Sequence, residues 1–150
     1  KLLKKTYKVG DLTEHLALNI LHRFIKDKSI TFKMLCDGDI RDTNYGIDII
    51  SSNGKTIQVK QFVEYIKDPK SDNIEITYIS PSGHDYKKEH VNYLLFMDSH
   101  PNKAKWRAIL IKNNGENRAI NKKYRGEIRY TMIINKNDIL FGKEFDKFEL

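Results

Sequence analysis

Tyr45-Gly46-Ile47-Asp48-Ile49-Ile50-Ser51-Ser52-Asn53-Gly54-Lys55-Thr56-Ile57-Gln58-Val59-Lys60 reads as two short strands joined by a tight turn. Ile and Val fill both strands, the first around Gly46 to Ile50 and the second around Thr56 to Phe62, and Asn53-Gly54 punctuates them as a hairpin turn does. The register follows from how polar and apolar residues would sort. Directly opposed residues of an antiparallel pair point to the same face. A loop of only Asn53-Gly54 sets Asp48 against Val59 and Ile49 against Gln58, which mixes polar and apolar on both faces. A loop of Ser52-Asn53-Gly54, with Gly54 left-handed, sets Asp48 against Gln58, Ile49 against Ile57 and Ile47 against Val59. A slip of one residue swaps every side chain between faces, so the cleaner segregation is the predicted one.

In that register one face is apolar and the other carries Asp48, Gln58 and, one step on, Lys60. A carboxylate and an amide oxygen side by side are hard ligands of the kind a magnesium ion takes. Lys60 would sit beside the ion and a phosphate, orienting a water or neutralising developing charge. An exposed sheet face that happens to carry Asp, Gln and Lys fits the same pattern.

These residues resemble a known family. Gly46-Ile47-Asp48, a short gap and Ile57-Gln58-Val59-Lys60 look like the core of PD-(D/E)XK nucleases. The likeness is to the branch with Gln in the second acidic place, as in Mrr-like restriction nucleases and some homing endonucleases. It implies Asp48 and Gln58 as metal ligands, the Val59 carbonyl as another, and Lys60 as the catalytic lysine. It further implies Mg2+ as cofactor with Mn2+ as a substitute, DNA as substrate, and a restriction-endonuclease-like central mixed sheet flanked by helices. Two departures stand out. Tyr45-Gly46-Ile47 occupies the place where the family pattern has Pro before the acid, and Gln58 is neutral, which removes a charge from the ligand set.

The missing charge has a candidate source upstream. Asp11 to about Asp27 is expected to be a helix, with Leu12, Leu16, Ile20 and Phe24 repeating every four residues and Ala17 and Leu21 widening the stripe. Asp11 as N-cap and Glu14 three residues later make a capping-box pattern. Alternatively, Glu14 lies at the edge of the apolar stripe and points at the sheet. Gly10-Asp11-Leu12-Thr13-Glu14-His15-Leu16-Ala17 also resembles the first helix of the same nuclease family, in which a Glu joins the metal site. His15 and His22 share a helix face without a third ligand in register and are read as surface or boundary residues.

The chain of 150 residues carries a net charge of +7 and a sequence pI near 9.4. Such an excess suits a polyanionic partner, because phosphate contacts by Lys and Arg supply most non-specific nucleic-acid affinity. The excess is concentrated. Lys103 to Tyr130 holds nine basic residues against two acids, as large an excess as that of the whole chain. Arg107, Arg118, Lys122, Lys123 and Arg125 are the candidate nucleic-acid contacts, and Tyr124 is placed to stack on a base or to pack ordinarily.

Other classes are disfavoured. The lone Cys36 allows no internal disulfide and no cysteine-type zinc site, which suits a reducing, cytoplasmic setting, or nucleoid or nucleus. No apolar run approaches a membrane span, no signal-peptide pattern opens the sequence, and no Gly-rich phosphate loop implies a nucleotide cofactor. The first residue is Lys rather than Met, so residue 1 need not be the native start.

One domain spanning 1–150 is expected. Strands are expected at Ile30 to Leu35, Asn73 to Ser80, Val91 to Met97, Trp106 to Ile111 and Ile128 to Ile134, with Val91 to Met97 central and buried on both faces. Asp37 to Asn44 reads as a polar loop, Asp85 to His90 as a short helix, and Asn137 to Leu150 as a terminal helix. The sum is an α/β or α+β sheet flanked by helices. Three functions fit it: a magnesium-dependent DNA endonuclease, a catalytically silent nucleic-acid-binding domain with a nuclease-like fold, and an unrelated basic interaction module. A symmetric homodimer would suit a double-strand cut.

Overall fold

A computed structural model of the chain describes residues 9–35, 38–67, 72–79, 90–98, 108–113, 118–124, 127–135, 139–141 and 149–150. Cys36, Trp106, Arg107, Arg125 and the expected helix over 85–89 lie outside these residues.

The hairpin turn forms in the predicted register, but the expected Ile47–Val59 pairing does not, and these two residues lie in different core clusters. Strand β2 (Ile49–Ser51) runs antiparallel to β3 (Thr56–Lys67), with Ile49 opposite Ile57 and Ile50 opposite Thr56. Ser51 N–H donates to Lys55 C=O at 2.8 Å and Gly54 N–H to Ser51 C=O at 3.0 Å, so the loop is Ser52-Asn53-Gly54. Gly54 takes φ +84°, the left-handed conformation that this loop requires at its last position. β2 begins later than expected, at Ile49 rather than Gly46, so Asp48 stands just before the ladder.

The reason is a helix where a loop was expected. Helix α2 (Ile40–Tyr45) is only six residues long, but it is capped at both ends. Asp39 accepts the Arg41 N–H at its N-terminus, and left-handed Gly46 (φ 73°) closes its C-terminus by donating to the Arg41 and Asp42 carbonyls. The Arg41 guanidinium also grips Asp39 at 2.9 Å and 3.1 Å, and holds its carboxyl down to about 2. Asp39 and Asp42, expected in a polar loop, thus become a cap and a helical residue.

Helix α1 (Val9–Phe24) starts earlier than expected. Asp11 therefore lies inside the helix rather than at its N-cap, and the capping-box reading of Glu14 falls. Thr13, Ala17, Leu21 and Ile25 are the deepest positions of this segment, with Leu16, Ile20 and Phe24 partly buried beside them. The helix ends where the Lys28 ammonium donates to the His22 and Arg23 carbonyls, satisfying two that the last turn leaves open.

Among the described residues β3 is the trunk of a nine-stranded sheet. Strand β1 (Phe32–Met34) pairs with β2. On the other edge of β3 runs β5 (Tyr93–Asp98), parallel to it, with Ile57 opposite Tyr93 and Phe62 opposite Asp98. β6 (Ala108–Lys112) lies beyond β5, as predicted for a central buried strand. The C-terminal half of β3 carries β4 (Asn73–Ile79), then β8 (Glu127–Asn135), then β7 (Arg118–Tyr124) at the sheet edge. Two strands had no counterpart among the elements expected from sequence. β7 is one, and the other is β9 (Ile139–Phe141), which pairs with β6 where a terminal helix was expected. Ile139-Leu140-Phe141 borders the buried Leu110 and Ile111, and strand pairing gives its backbone partners that Gly142 makes hard to find in a helix.

Among the described residues all pairings but β3–β5 are antiparallel, so the fold is α+β with a mostly antiparallel, mixed sheet. Apolar clusters form on both faces. α1 packs over Ile49, Ile57, Val59, Leu95 and Leu110 on one. Phe62, Ile76, Tyr78, Phe96 and Ile109 gather on the other. Among the described residues no helix is long and apolar enough to cross a membrane.

Candidate metal centre

Two partners share one edge of β3 and leave a gap between them. β2 pairs as far as Ile57, and β4 begins at Phe62, where a bulge shifts its register by one. The backbone of Val59 faces that gap and would be left unpaired. Asp48 fills it. Its carboxylate accepts the Val59 N–H at 2.8 Å, while its own N–H donates to the Ile57 carbonyl at 3.0 Å and its carbonyl accepts from Leu35 at 2.9 Å. Asp48 is thus anchored between β1 and β3, and its lateness in joining β2 is what frees its side chain to reach the strand edge.

Gln58 bonds the backbone of the same residue, at its carbonyl rather than its N–H. Its Nε2 donates to the Val59 carbonyl at 3.1 Å, and its Oε1 is buried without a hydrogen-bond partner. Only 6% of Gln58 is exposed. Buried polar atoms are nearly always bonded, so an orphaned acceptor here asks for an explanation. Asp48, Gln58 and Val59 therefore come together as the sequence predicted, although through the Val59 backbone rather than by simple cross-strand opposition.

Lys60 follows Gln58 at the next same-face position of β3, opposite Phe96 as Gln58 is opposite Leu94, and is half-buried. Glu14 is brought in by α1. Beside it, buried Thr13 accepts a 2.6 Å hydrogen bond from the Gln61 amide of β3, which ties the helix to the strand next to the gap.

The electrostatics show how close the acids are. The Asp48 carboxyl is pushed up from 3.8 to about 8, chiefly by burial, then by the negative charge of Glu14, with Asp42 adding to it through charge and a side-chain hydrogen bond. The Val59 N–H pulls the other way without prevailing. Asp42, expected only as part of a polar loop, adds to the negative field on Asp48. Its only signal was its place six positions before Asp48, and that meant nothing until α2 was known to be a helix.

Among the described residues no three His, Cys, Asp or Glu side chains gather tightly enough to cage a metal alone. Electrostatic influence reaches farther than a bond of about 2.1 Å to magnesium, so this agrees with the raised carboxyl. Magnesium is ordinarily held by one or two carboxylates together with waters and substrate phosphates. The oxygen-only set of Asp48, the orphaned Gln58 Oε1 and the Val59 carbonyl fits that mode.

The basic candidates are separate in the fold. Arg118, Lys122 and Lys123 lie on β7, with Lys122 at the register position opposite Arg129. Arg129 is in turn opposite Ile79, one residue beyond the Tyr78 that pairs with Phe62. The row Lys122–Arg129–Ile79 therefore borders the gap at Val59. No family model, curated protein or solved structure matches the chain.

Proposed function

We propose that this chain is a magnesium-dependent endodeoxyribonuclease with a restriction-endonuclease-like fold of the PD-(D/E)XK type. The observation that carries the reading is the orphaned, buried Gln58 Oε1 beside Asp48 at the open edge of β3. The fold is compatible with it: an N-terminal helix precedes the antiparallel run β1–β2–β3, and β5 returns parallel to β3. The ligand residues would be Asp48, Gln58 and Val59, with Glu14 adding charge nearby. Mg2+, or Mn2+ in its place, would acidify a water and screen the scissile phosphate when bound. Asp48 is held by three backbone contacts, so it needs little reorganisation to present its carboxylate. Lys60, one same-face step from Gln58, would hold its ammonium against the water or the phosphate. The cationic row from Lys122 to Arg129 would take the DNA backbone on the gap side of the sheet.

A second reading is favoured by one observation. Asp48 and Gln58 each already bond the Val59 backbone, as they would in a catalytically silent nucleic-acid-binding domain. Incubation with duplex, branched and single-stranded DNA, with magnesium or with EDTA, separates the two. We expect magnesium-dependent cleavage that Asp48→Ala and Lys60→Ala abolish while DNA affinity stays largely intact. Binding without cleavage by the wild type on every substrate would leave the silent domain, and equal cleavage by wild type and both variants would remove the site.

A further inference from the structure

The span from Tyr45 to Asp48 carries the chain from α2 to the carboxylate that caps the Val59 edge, and each end of it is tied down separately. At the far end, the Asp48 N–H donates to the Ile57 carbonyl at 3.0 Å and the Asp48 carboxylate accepts the Val59 N–H at 2.8 Å. At the near end, the Tyr45 ring stacks on His90, with ring centroids 4.1 Å apart and an angle of 24° between the planes. His90 is itself fixed to β3, because its carbonyl accepts the Thr56 hydroxyl at 2.6 Å. Asn92 repeats the tie: its side chain accepts the Thr56 N–H at 2.9 Å, and its own N–H donates to the Thr56 carbonyl at 3.0 Å. Asn113 closes the same rim by donating from its side chain to the Val91 carbonyl at 2.9 Å. Little apolar burial holds α2 among its described side chains. Ile40, Arg41 and Tyr45 are exposed, and Asp42 is half-buried. A helix of six residues is too short to persist on its own backbone bonds. The stack on His90 therefore joins a helix that needs support to a rim that is firmly bonded.

We propose that Tyr45 and His90 are positioning residues for Asp48: their stack holds the end of α2 against the rim of β3 and β5, and so keeps the Asp48 carboxylate on the Val59 N–H. The purpose given to this link rests on the metal-dependent reading of the site, since a ligand held in place beforehand loses less freedom when an ion binds. The link itself does not depend on that reading. Ile47, between the two ties, is the competing anchor, being buried in the same apolar cluster as Val91. Were Ile47 sufficient, the stack would be dispensable. An aromatic pair of this kind shifts a local opening equilibrium by about two- to tenfold, which is enough to measure.

The Val59 N–H has its acceptor on the Asp48 side chain, so its hydrogen exchange in the metal-free chain reads the placing of that carboxylate. The experiment compares exchange at Val59 with exchange at Leu95, buried in β5, in wild type, Tyr45→Ala, His90→Ala, Tyr45→Phe and His90→Phe. Asp48→Ala gives the unprotected limit, and Mn2+ is titrated into the same proteins. We expect each alanine variant to speed Val59 exchange by about two- to tenfold and to weaken Mn2+ binding by a similar factor, with Leu95 unchanged. The double alanine variant should do no more than either single one, because both remove one contact. The phenylalanine variants keep a ring in the stack and should stay close to wild type. Tyr45→Leu keeps apolar bulk without the stack, and gives the same comparison where an alanine variant fails to fold. Unchanged Val59 exchange in both alanine variants overturns the inference. Equal acceleration at Val59 and Leu95 overturns it too, as a general loss of stability, and so do phenylalanine variants as fast as the alanine ones. If exchange responds as expected and the wild type binds no Mn2+, the metal-dependent reading fails and the positioning stands. If Mn2+ binds and Val59 exchange ignores the stack, the positioning alone fails.

Discussion

On the proposed metal-dependent reading Asp48 would do two opposed things: cap a backbone N–H in a buried gap, as it does in the structure, and offer charge to a cation. Its raised carboxyl, at about 8 against an unfolded 3.8, makes the conflict measurable. A carboxyl whose folded value lies above its unfolded value favours the neutral form in the folded state. Its contribution to stability is complete below pH 3.8 and is lost as pH rises through about 8. Cation binding runs the other way, because the ligand must be ionised and its proton released. Affinity for Mn2+ should therefore rise by about tenfold per pH unit between roughly pH 6 and 8 and level off above, as expected for release of one proton. Over the same range the metal-free protein should become less stable. Asp48→Asn, whose amide oxygen can still accept from Val59, should flatten both curves. Wild-type affinity that does not change between these pH values would mean that Asp48 is not the proton-releasing ligand.

At the scale of elements, the hairpin was legible and the helix before it was not. Ile49 against Ile57 followed from sorting polar from apolar side chains, a rule strong enough to choose between two loop lengths. α2 has no apolar periodicity to read. It exists because Asp39 and Gly46 cap it, and a six-residue helix is decided by its ends rather than its middle. β9 and β7 were missed for a related reason: Ile139-Leu140-Phe141 is too short to show a period, and Arg118 to Tyr124 is too polar to look like a strand without its partner β8. In the site, Asp48, Gln58 and Lys60 were legible because one strand pair carries them. The electrostatic influence of Asp42 on Asp48 was not legible, since it depends on a turn that only the folded chain makes. The loop choice itself is testable. Gly54 has φ +84° with open space around the position of a side chain, so Gly54→Ala should cost roughly 1–2 kcal/mol of stability through backbone strain alone. Gly54→Asn should cost less, since Asn tolerates the left-handed region. Denaturant unfolding of both variants decides it, and an unchanged midpoint for Gly54→Ala would show a loop that does not need that conformation.

For the molecule as a whole, the difficulty is that the candidate site is acidic while the proposed substrate is a polyanion. Glu14 and Asp42 both act electrostatically on Asp48, so the candidate site carries negative charge where, on the proposed reading, a phosphate would approach. Net charge would resolve this only if the cations lay near the site, and the sheet topology sets their register positions. β4, β8 and β7 extend the C-terminal half of β3, and their register lines up Ile79, Arg129 and Lys122 toward the gap rather than away from it. Strand spacing near 4.8 Å puts β7 about 14 Å from β3, within the width of a duplex. Lys122 and Arg129 at opposed register positions are like charges that weaken a strand pair. Lysines on an edge strand also discourage sheet-to-sheet aggregation, so their presence alone does not prove a partner. Salt dependence separates the two roles. If the row meets DNA, Lys122→Ala with Lys123→Ala should weaken binding and reduce the slope of log affinity against log salt by about 0.9 for each phosphate no longer neutralised. Cleavage at saturating DNA should survive, because neither lysine belongs to the acidic site. If the lysines only guard the edge, the slope stays as it is while the double variant becomes more prone to aggregate. The row's register position near the open Val59 edge favours the first outcome: cations two and three strands from β3 would offset, along a bound duplex, part of the repulsion between the acids and phosphate.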